Sequence, residues 1–259
     1  MTYARYLALD ELLSAQRPLS DCHDELLFII IHQTKELWLK EIIRELTLAR
    51  GLVQSGDLEP AYKAMARVSR IQLIMTLSWD VLSTMTPADY LSFRDKLGTS
   101  SGFQSYQFRT VEYLLGLKDE QFLKYQPVGS PAYAELARAL AEPSLYDAAL
   151  GELARQGLDV PESVLRRDVS QPYQPSEAVE AAWLAVYRDP QAHWGLYQLA
   201  EKLVDIDDAL LAWRQKHVLT VERIIGGRPG TGGTEGSGHL ARTLQRRCFP
   251  ELWSLRTKL

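Results

Sequence analysis

Apolar residues recur every three to four positions through residues 24–47, 58–85, 87–97 and 102–116, and none of these stretches alternates with a period of two. The spacing predicts helices in all four. A longer helical pattern runs from about 190 to 225 and includes "HWGLYQLAEKLVDIDDALLAWRQKHVLTVERII". Local punctuation sharpens some boundaries. In "TPADYLSFRDKLG", Thr86 is placed to cap, Pro87 to open the first turn, Asp89 to face the positive helix end and Gly98 to close. Ser101 and Gly116 bracket the next segment in the same way, and Gly226 with Gly227 ends the long helix. Prolines at 127, 131, 143, 161, 172 and 175 break residues 119–178 into what reads as short helices and loops on the surface of the same domain. After a glycine-rich stretch at 226–238, "HLARTLQRRCFPELWSLRTKL" predicts a final helix interrupted by Pro250. The expected architecture is all-α, a single helical domain over residues 1–259.

Composition narrows the function classes. The chain has 259 residues, 46% hydrophobic and 24% charged, with a net charge of -4, so it has material for a core but no basic stripe for nucleic acid. No run of eighteen apolar residues predicts a membrane span, and the N-terminal "MTYARYLALDELLSAQ" lacks the apolar core of a signal peptide, which predicts a cytoplasmic protein. Cys22 and Cys248 form neither a CxxC pair nor a disulfide framework, and the absence of CxxCH means that any haem would be held non-covalently. Histidines stand only at 23, 32, 193, 217 and 239, too dispersed along the chain for a His-rich metal cluster.

Four features carry candidate chemistry. The loop "GGRPGTGGTEGSG" contains Gly236 and Gly238 ahead of Ala241 in a relaxed dinucleotide-binding spacing. That motif works only after a strand and inside a βαβ unit; here a long helix precedes it, and no Walker lysine is present. A connector between helices and a flap over a ligand remain. Phe28 and His32, four apart, share a helix face, and a neutral imidazole there can accept from a substrate N–H or serve as a hydrogen-bonded core histidine. Tyr90, Phe93 and Arg94 cluster on one short helix, where the arginine suits a carboxylate or simply stacks on its neighbours. His217, between Trp213 and Val221 one turn to either side, is an axial haem ligand or a structural histidine.

Taken together and in order, "HDELLFIIIHQTKELWLK", "YLSFRDKLGTSSGFQSYQFR" and "WRQKHVLTVERIIGGRPGTGGTEGSG" resemble the bacterial tryptophan 2,3-dioxygenase family, and the likeness extends from "TYARYLALDELLSAQ" to "FPELWSLRT". The resemblance implies a haem-binding helical bundle with haem b ligated by His217 and dioxygen as co-substrate. It matches His32 to the distal histidine that hydrogen-bonds the indole N–H, Phe28 and Tyr90 to pocket walls, and Arg94 to the carboxylate partner. Ser101 and Gly102 match the segment beside haem and substrate, and Thr231 matches the loop contact to the substrate's ammonium and carboxylate. Tyr3, Tyr6 and Leu7 match residues that reach into a neighbouring subunit of a homotetramer, a dimer of dimers.

The implied reaction is insertion of dioxygen across the indole C2–C3 bond of L-tryptophan, giving N-formylkynurenine. Two alternatives accompany it: a related monooxygenase hydroxylating C3 of tryptophan or an analogue to an oxindole-type product, and a non-catalytic haem or gas-sensing module. Some positions depart from the family pattern. Cys22 stands where many members carry a second histidine, and Thr234, Glu235, Ser237 and His239 replace small or apolar residues.

Overall fold

The computed structural model describes residues 1–233 and 237–259; Thr234 and Glu235, with the side chains of Ser237 and His239, lie outside the described residues. Among those described there are only helices and turns, with no strand. In chain order the α-helices are α1 (Tyr3–Tyr6), α2 (Leu9–Leu13), α3 (His23–Ser55), α4 (Leu58–Leu82), α5 (Pro87–Arg94), α6 (Tyr106–Leu114) and α7 (Pro131–Ala141). They continue with α8 (Leu145–Arg155), α9 (Glu162–Leu165), α10 (Glu177–Arg188), α11 (Trp194–Ile225), α12 (Ser237–Thr243) and α13 (Pro250–Ser254). No helix is long and apolar enough to cross a membrane among the described residues.

The core follows from the periodicity. Leu39, Ile42, Leu46, Ala49 and Val53 of α3 form one buried stripe, which meets Ala61, Ala64, Met65, Val68 and Ile71 of α4. The α4 helix also packs along α11, whose Leu196, Leu199, Leu203, Ile206 and Leu210 complete the centre. Each such side chain contributes about 1.5–3 kcal/mol on full burial. Small residues at Ala49, Ala61, Ala64 and Ala200 let the helix axes approach closely.

Three predicted features differ in the structure. The proline-broken middle is not confined to the surface: α8 buries Leu145, Tyr146, Ala149, Leu150 and Leu153 against α3. Pro131 opens α7 at its first turn, the segment's other prolines lie outside the helices, and Ser144 opens α8 with a capping box to Asp147. Ser101 caps a 3-10 turn at Gly102–Gln104, and Ser105 caps α6. Pro250 does not interrupt a helix; it opens α13, where its missing N–H costs nothing. The α10 helix, outside the predicted segments, is held by buried Val179, Trp183 and Val186.

Buried charge fixes the relative placement of these helices. Glu112 of α6 accepts from Arg109 at 2.5 Å and from Arg214 of α11 at 2.8 Å, and Arg214 also donates to the carbonyl of Arg246 at 3.3 Å. The C-terminal segment is latched twice. Asp207 accepts from the Cys248 amide at 3.0 Å and the Trp253 indole at 2.8 Å, while Glu251 accepts from Tyr146 at 2.7 Å and Tyr173 at 2.6 Å. These pairs leave the far ends of α3, α4 and α11 to converge with α5, which touches both α3 and α11.

Candidate active site

The α5 helix is the best-specified element near this convergence. Thr86 and Asp89 cap each other's backbone, Pro87 fills the first turn, and the helix passes at Arg94 into a 3-10 turn closed by Gly98. This punctuation aims Tyr90 and Phe93 inward and leaves Arg94 at the rim. Across from them, α3 presents Phe28 and His32 on one face. Phe28 lies 4.2 Å from His32, 6.0 Å from Tyr90 and 5.6 Å from Phe93 between ring centroids. Cys22, at the start of α3, leans on the same helix pair, its thiol 3.7 Å from the Asp89 carbonyl.

His32 Nδ1 lies 2.7 Å from the Phe28 carbonyl. A carbonyl can only accept, so this contact puts the proton on Nδ1 and leaves Nε2 as an acceptor. Burial, with the nearby Lys35 ammonium, pushes the His32 imidazole down to about 4, so it is neutral near pH 7. The opposite wall comes from α4 and α11. Trp79 stacks on His217 with centroids 4.4 Å apart and planes 10° from parallel, and Trp213 stands 5.2 Å away. Burial, then Lys35 and His32, push the His217 imidazole down to about 3. The dependence of His217 on His32 places both in one electrostatic neighbourhood. One apolar cluster, with Ile31, Trp79, Met85, Tyr90 and Phe93 at its centre and Phe28 and Trp213 against it, joins the two walls.

Over the rim runs the glycine loop. Gly226 caps α11 at φ 61 and ψ -140, a conformation open to glycine and strained for other residues, and it turns the chain sharply off the helix axis. The loop then crosses residues 99–102. The Thr231 hydroxyl donates to the Ser100 carbonyl at 2.5 Å, and Arg94 Nη2 donates to the Pro229 carbonyl at 2.6 Å. At Gly232 the backbone passes so close to Ser101 that an added Cβ would lie 2.7 Å from Ser101 Cβ.

The structure therefore brings together Phe28, His32, Tyr90 and His217, with Arg94, Ser101, Gly102 and Thr231 at the rim. Tyr3, Tyr6 and Leu7 do not join them. Tyr3 and Tyr6 of α1 are 76% and 74% exposed, and neither α1 nor α2 buries a residue. The chain is tied down only afterwards, where Glu25 accepts from the Leu19 and Ser20 amides at 2.8 Å and Gln16 donates to Gln33 at 2.6 Å. Two pocket residues escaped the sequence reading. Trp79 reaches the site only through the packing of α4 on α11. Lys35, three residues beyond His32, was legible as a charge on an apolar helix face.

A porphyrin carries four nitrogen ligands of its own, so its protein partner is one histidine in an apolar, aromatic enclosure rather than a cluster. No group of three or more His, Cys, Asp and Glu able to hold a metal ion gathers among the described residues, whereas His217 meets the single-donor requirement. Nζ of Lys35 and the indole N–H groups of Trp79 and Trp213 are buried without hydrogen-bond partners among the described residues. The donor set and the apolar lining both fit a haem.

The comparisons agree over the full length. The family model described as Tryptophan 2,3-dioxygenase matches residues 1–138 and 135–259. A Caulobacter vibrioides protein named tryptophan 2,3-dioxygenase is 74% identical over 259 residues, covering 100% of this chain and 98% of that relative. Relatives of the same name from Bacillus thuringiensis and Geobacillus thermodenitrificans are each 53% identical over 259 residues, covering 100% of this chain and 93% and 92% of their own lengths. Identity of this extent, on an all-helical frame carrying the residues described above, assigns the chain to the tryptophan 2,3-dioxygenase family.

Proposed function

We propose that this protein is a haem-dependent tryptophan 2,3-dioxygenase that inserts both atoms of dioxygen across the indole C2–C3 bond of L-tryptophan, giving N-formylkynurenine. The observation that carries the reading is the convergence on one apolar pocket of His217, the tautomer-fixed His32, and Arg94 beneath the loop. His217 would hold haem b non-covalently, and the haem supplies the redox chemistry that delivers dioxygen to the electron-rich indole.

The protein's share is orientation and exclusion of water. His32 Nε2 accepts the indole N–H and positions the ring; at neutral pH it is already in the accepting form. Phe28 and Tyr90 flank the indole, and Arg94 pairs with the amino-acid carboxylate. The Thr231 hydroxyl, now donating to Ser100, turns to the substrate's ammonium and carboxylate beside Ser101 and Gly102. The exposed Tyr3, Tyr6 and Leu7 complete the site of a neighbouring subunit in a homotetramer built as a dimer of dimers, which accounts for apolar side chains left bare on α1.

The test is aerobic reaction of the reduced haem protein with L-tryptophan and isotope-labelled dioxygen, read by mass spectrometry. The expected product carries two labelled oxygens. A product with one labelled oxygen indicates the C3 monooxygenase. A haem spectrum indifferent to tryptophan, without turnover, indicates a non-catalytic module; either result overturns the proposal.

A further inference from the structure

Lys35 stands out among the buried charges of this protein because the others described above have partners. It is only 6% exposed, it sits three residues after His32 on α3, and its Nζ has no hydrogen-bond partner among the described residues. Its Nζ lies 2.7 Å from the centroid of the Trp79 ring, and the same ring stacks on His217. Glu112 and Arg214, by contrast, are equally buried but pair directly. An isolated buried ammonium is costly and an indole face offsets only part of that cost, so burial pushes the Lys35 amine down to about 6. A carboxylate arriving beside it would supply the missing counter-charge.

We infer that Lys35 is the counter-charge for a carboxylate that enters this pocket, and that the carboxylate is a propionate of the haem. The inference rests on the haem reading proposed above. Two kinds of carboxylate enter the pocket on that reading, the porphyrin's two propionates and the amino acid's carboxylate. The amino-acid carboxylate has its own cation in Arg94, which lies at the rim under the loop. Lys35 instead lies over Trp79, the residue stacked on the proposed iron ligand, and so belongs to the porphyrin's side. Pairing would also move the ammonium off the indole ring and satisfy a donor that has no partner among the described residues.

The experiment compares wild type with Lys35→Met and Lys35→Arg in equilibrium titrations with haemin and with haemin dimethyl ester, which lacks both carboxylates. Thermal unfolding of each haem-free protein is measured alongside. Methionine keeps the length and removes the charge, so Lys35→Met should raise the Tm of the haem-free protein while weakening haemin binding on the order of 10- to 100-fold, the range for a charge-assisted hydrogen bond. Lys35→Arg should retain most of the affinity. The dimethyl ester should bind wild type and Lys35→Met equally. Equal haemin affinity in Lys35→Met and wild type would overturn the pairing, as would the same loss for acid and ester. A lower Tm together with parallel loss of both porphyrins would mark a structural lysine and overturn it too. Wild type that takes up neither porphyrin would overturn the haem reading itself, a failure separable from that of the pairing.

Discussion

Gly232→Ala offers the sharpest test of the loop, because its consequence can be worked from distances. A Cβ at Gly232 would lie 2.7 Å from Ser101 Cβ and 3.0 Å from Ser101 Oγ. Carbon atoms rest at about 3.5–4.0 Å, so the loop must rise by roughly 1 Å. That lift stretches the 2.5 Å bond from Thr231 to Ser100 and the 2.6 Å bond from Arg94 to Pro229 to the limit at which hydrogen bonding fails. A neutral hydrogen bond contributes about 0.5–1.5 kcal/mol and one from a charged donor about 1.5–3 kcal/mol, so the closed loop loses about 2–4 kcal/mol. At 1.4 kcal/mol per tenfold, closure shifts by roughly 30- to 1000-fold. The assay is hydrogen exchange across residues 227–233 in the haem protein without substrate, together with kcat and KM for L-tryptophan. Gly232→Ala should lose protection there, with kcat and KM both worsening, as for a hinge or lid variant. Ser101→Gly removes the opposing Cβ, so the double variant should recover at least tenfold of what Gly232→Ala loses. The single Ser101→Gly variant isolates the cost of its weak 3.4 Å cap to the Phe103 amide. Unchanged exchange in Gly232→Ala, or strictly additive effects in the pair, would refute the close approach as the reason for glycine.

The remaining predictions concern the two walls and the frame behind them. His217→Ala should bind haem weakly and without the spectrum of a histidine-ligated iron; an unaltered spectrum contradicts the ligand assignment. Arg94→Ala should raise KM for L-tryptophan about 10- to 100-fold yet leave binding of tryptamine, which lacks the carboxylate, little changed. Equal losses with both compounds sink the clamp. Glu112→Gln should destabilise the protein by about 3–5 kcal/mol at pH 7, because it leaves buried Arg214 without its counter-charge. Burial alone would raise the Glu112 carboxyl, but Arg109, Arg214 and Arg246 outweigh it and hold the group below the usual carboxylate range. Its contribution is therefore fully present above the ordinary carboxylate pKa and lost as pH falls through the depressed folded value. Denaturant titrations in acid should show the gap between Glu112→Gln and wild type closing, and a gap that stays constant with pH contradicts the ion-pair account.

Legibility in the sequence followed the range of the forces involved. Short-range signals survived intact: Thr86, Pro87 and Gly226 act where they were read, and Asp89, read as facing the positive helix end, also closes a box with Thr86, because capping and backbone freedom depend on immediate neighbours. Phe28 and His32 were likewise set by one helical turn. What failed depends on distant contacts. Prolines suggested a surface for residues 119–178, yet α8 is buried because its apolar face finds α3, more than ninety residues earlier in the chain. Trp79 carries no local mark at all; its role arises when α4 packs on α11. Lys35 shows the intermediate case: its position was plain, but that its Nζ has no hydrogen-bond partner among the described residues became visible only in the folded chain.

Arg94 links the two uses of the loop. A guanidinium has five donors, and one Nη2 bond to Pro229 leaves four, of which a carboxylate takes two in parallel. Loop and carboxylate can thus hold the same cation from different sides, and each pre-orders it for the other. By linkage, whatever the carboxylate adds to closure, closure adds to carboxylate affinity. Arg94 Nε is buried without a partner among the described residues. An indole lacking the carboxylate would leave that donor unsatisfied beneath a closed loop, at a cost of about 1–3 kcal/mol. Closure is therefore weakest for molecules without the amino-acid group, and for them water is not excluded from the pocket. On the proposed reading, selection for the amino acid and protection of the oxidation follow from one side chain, Arg94, over which the loop lies.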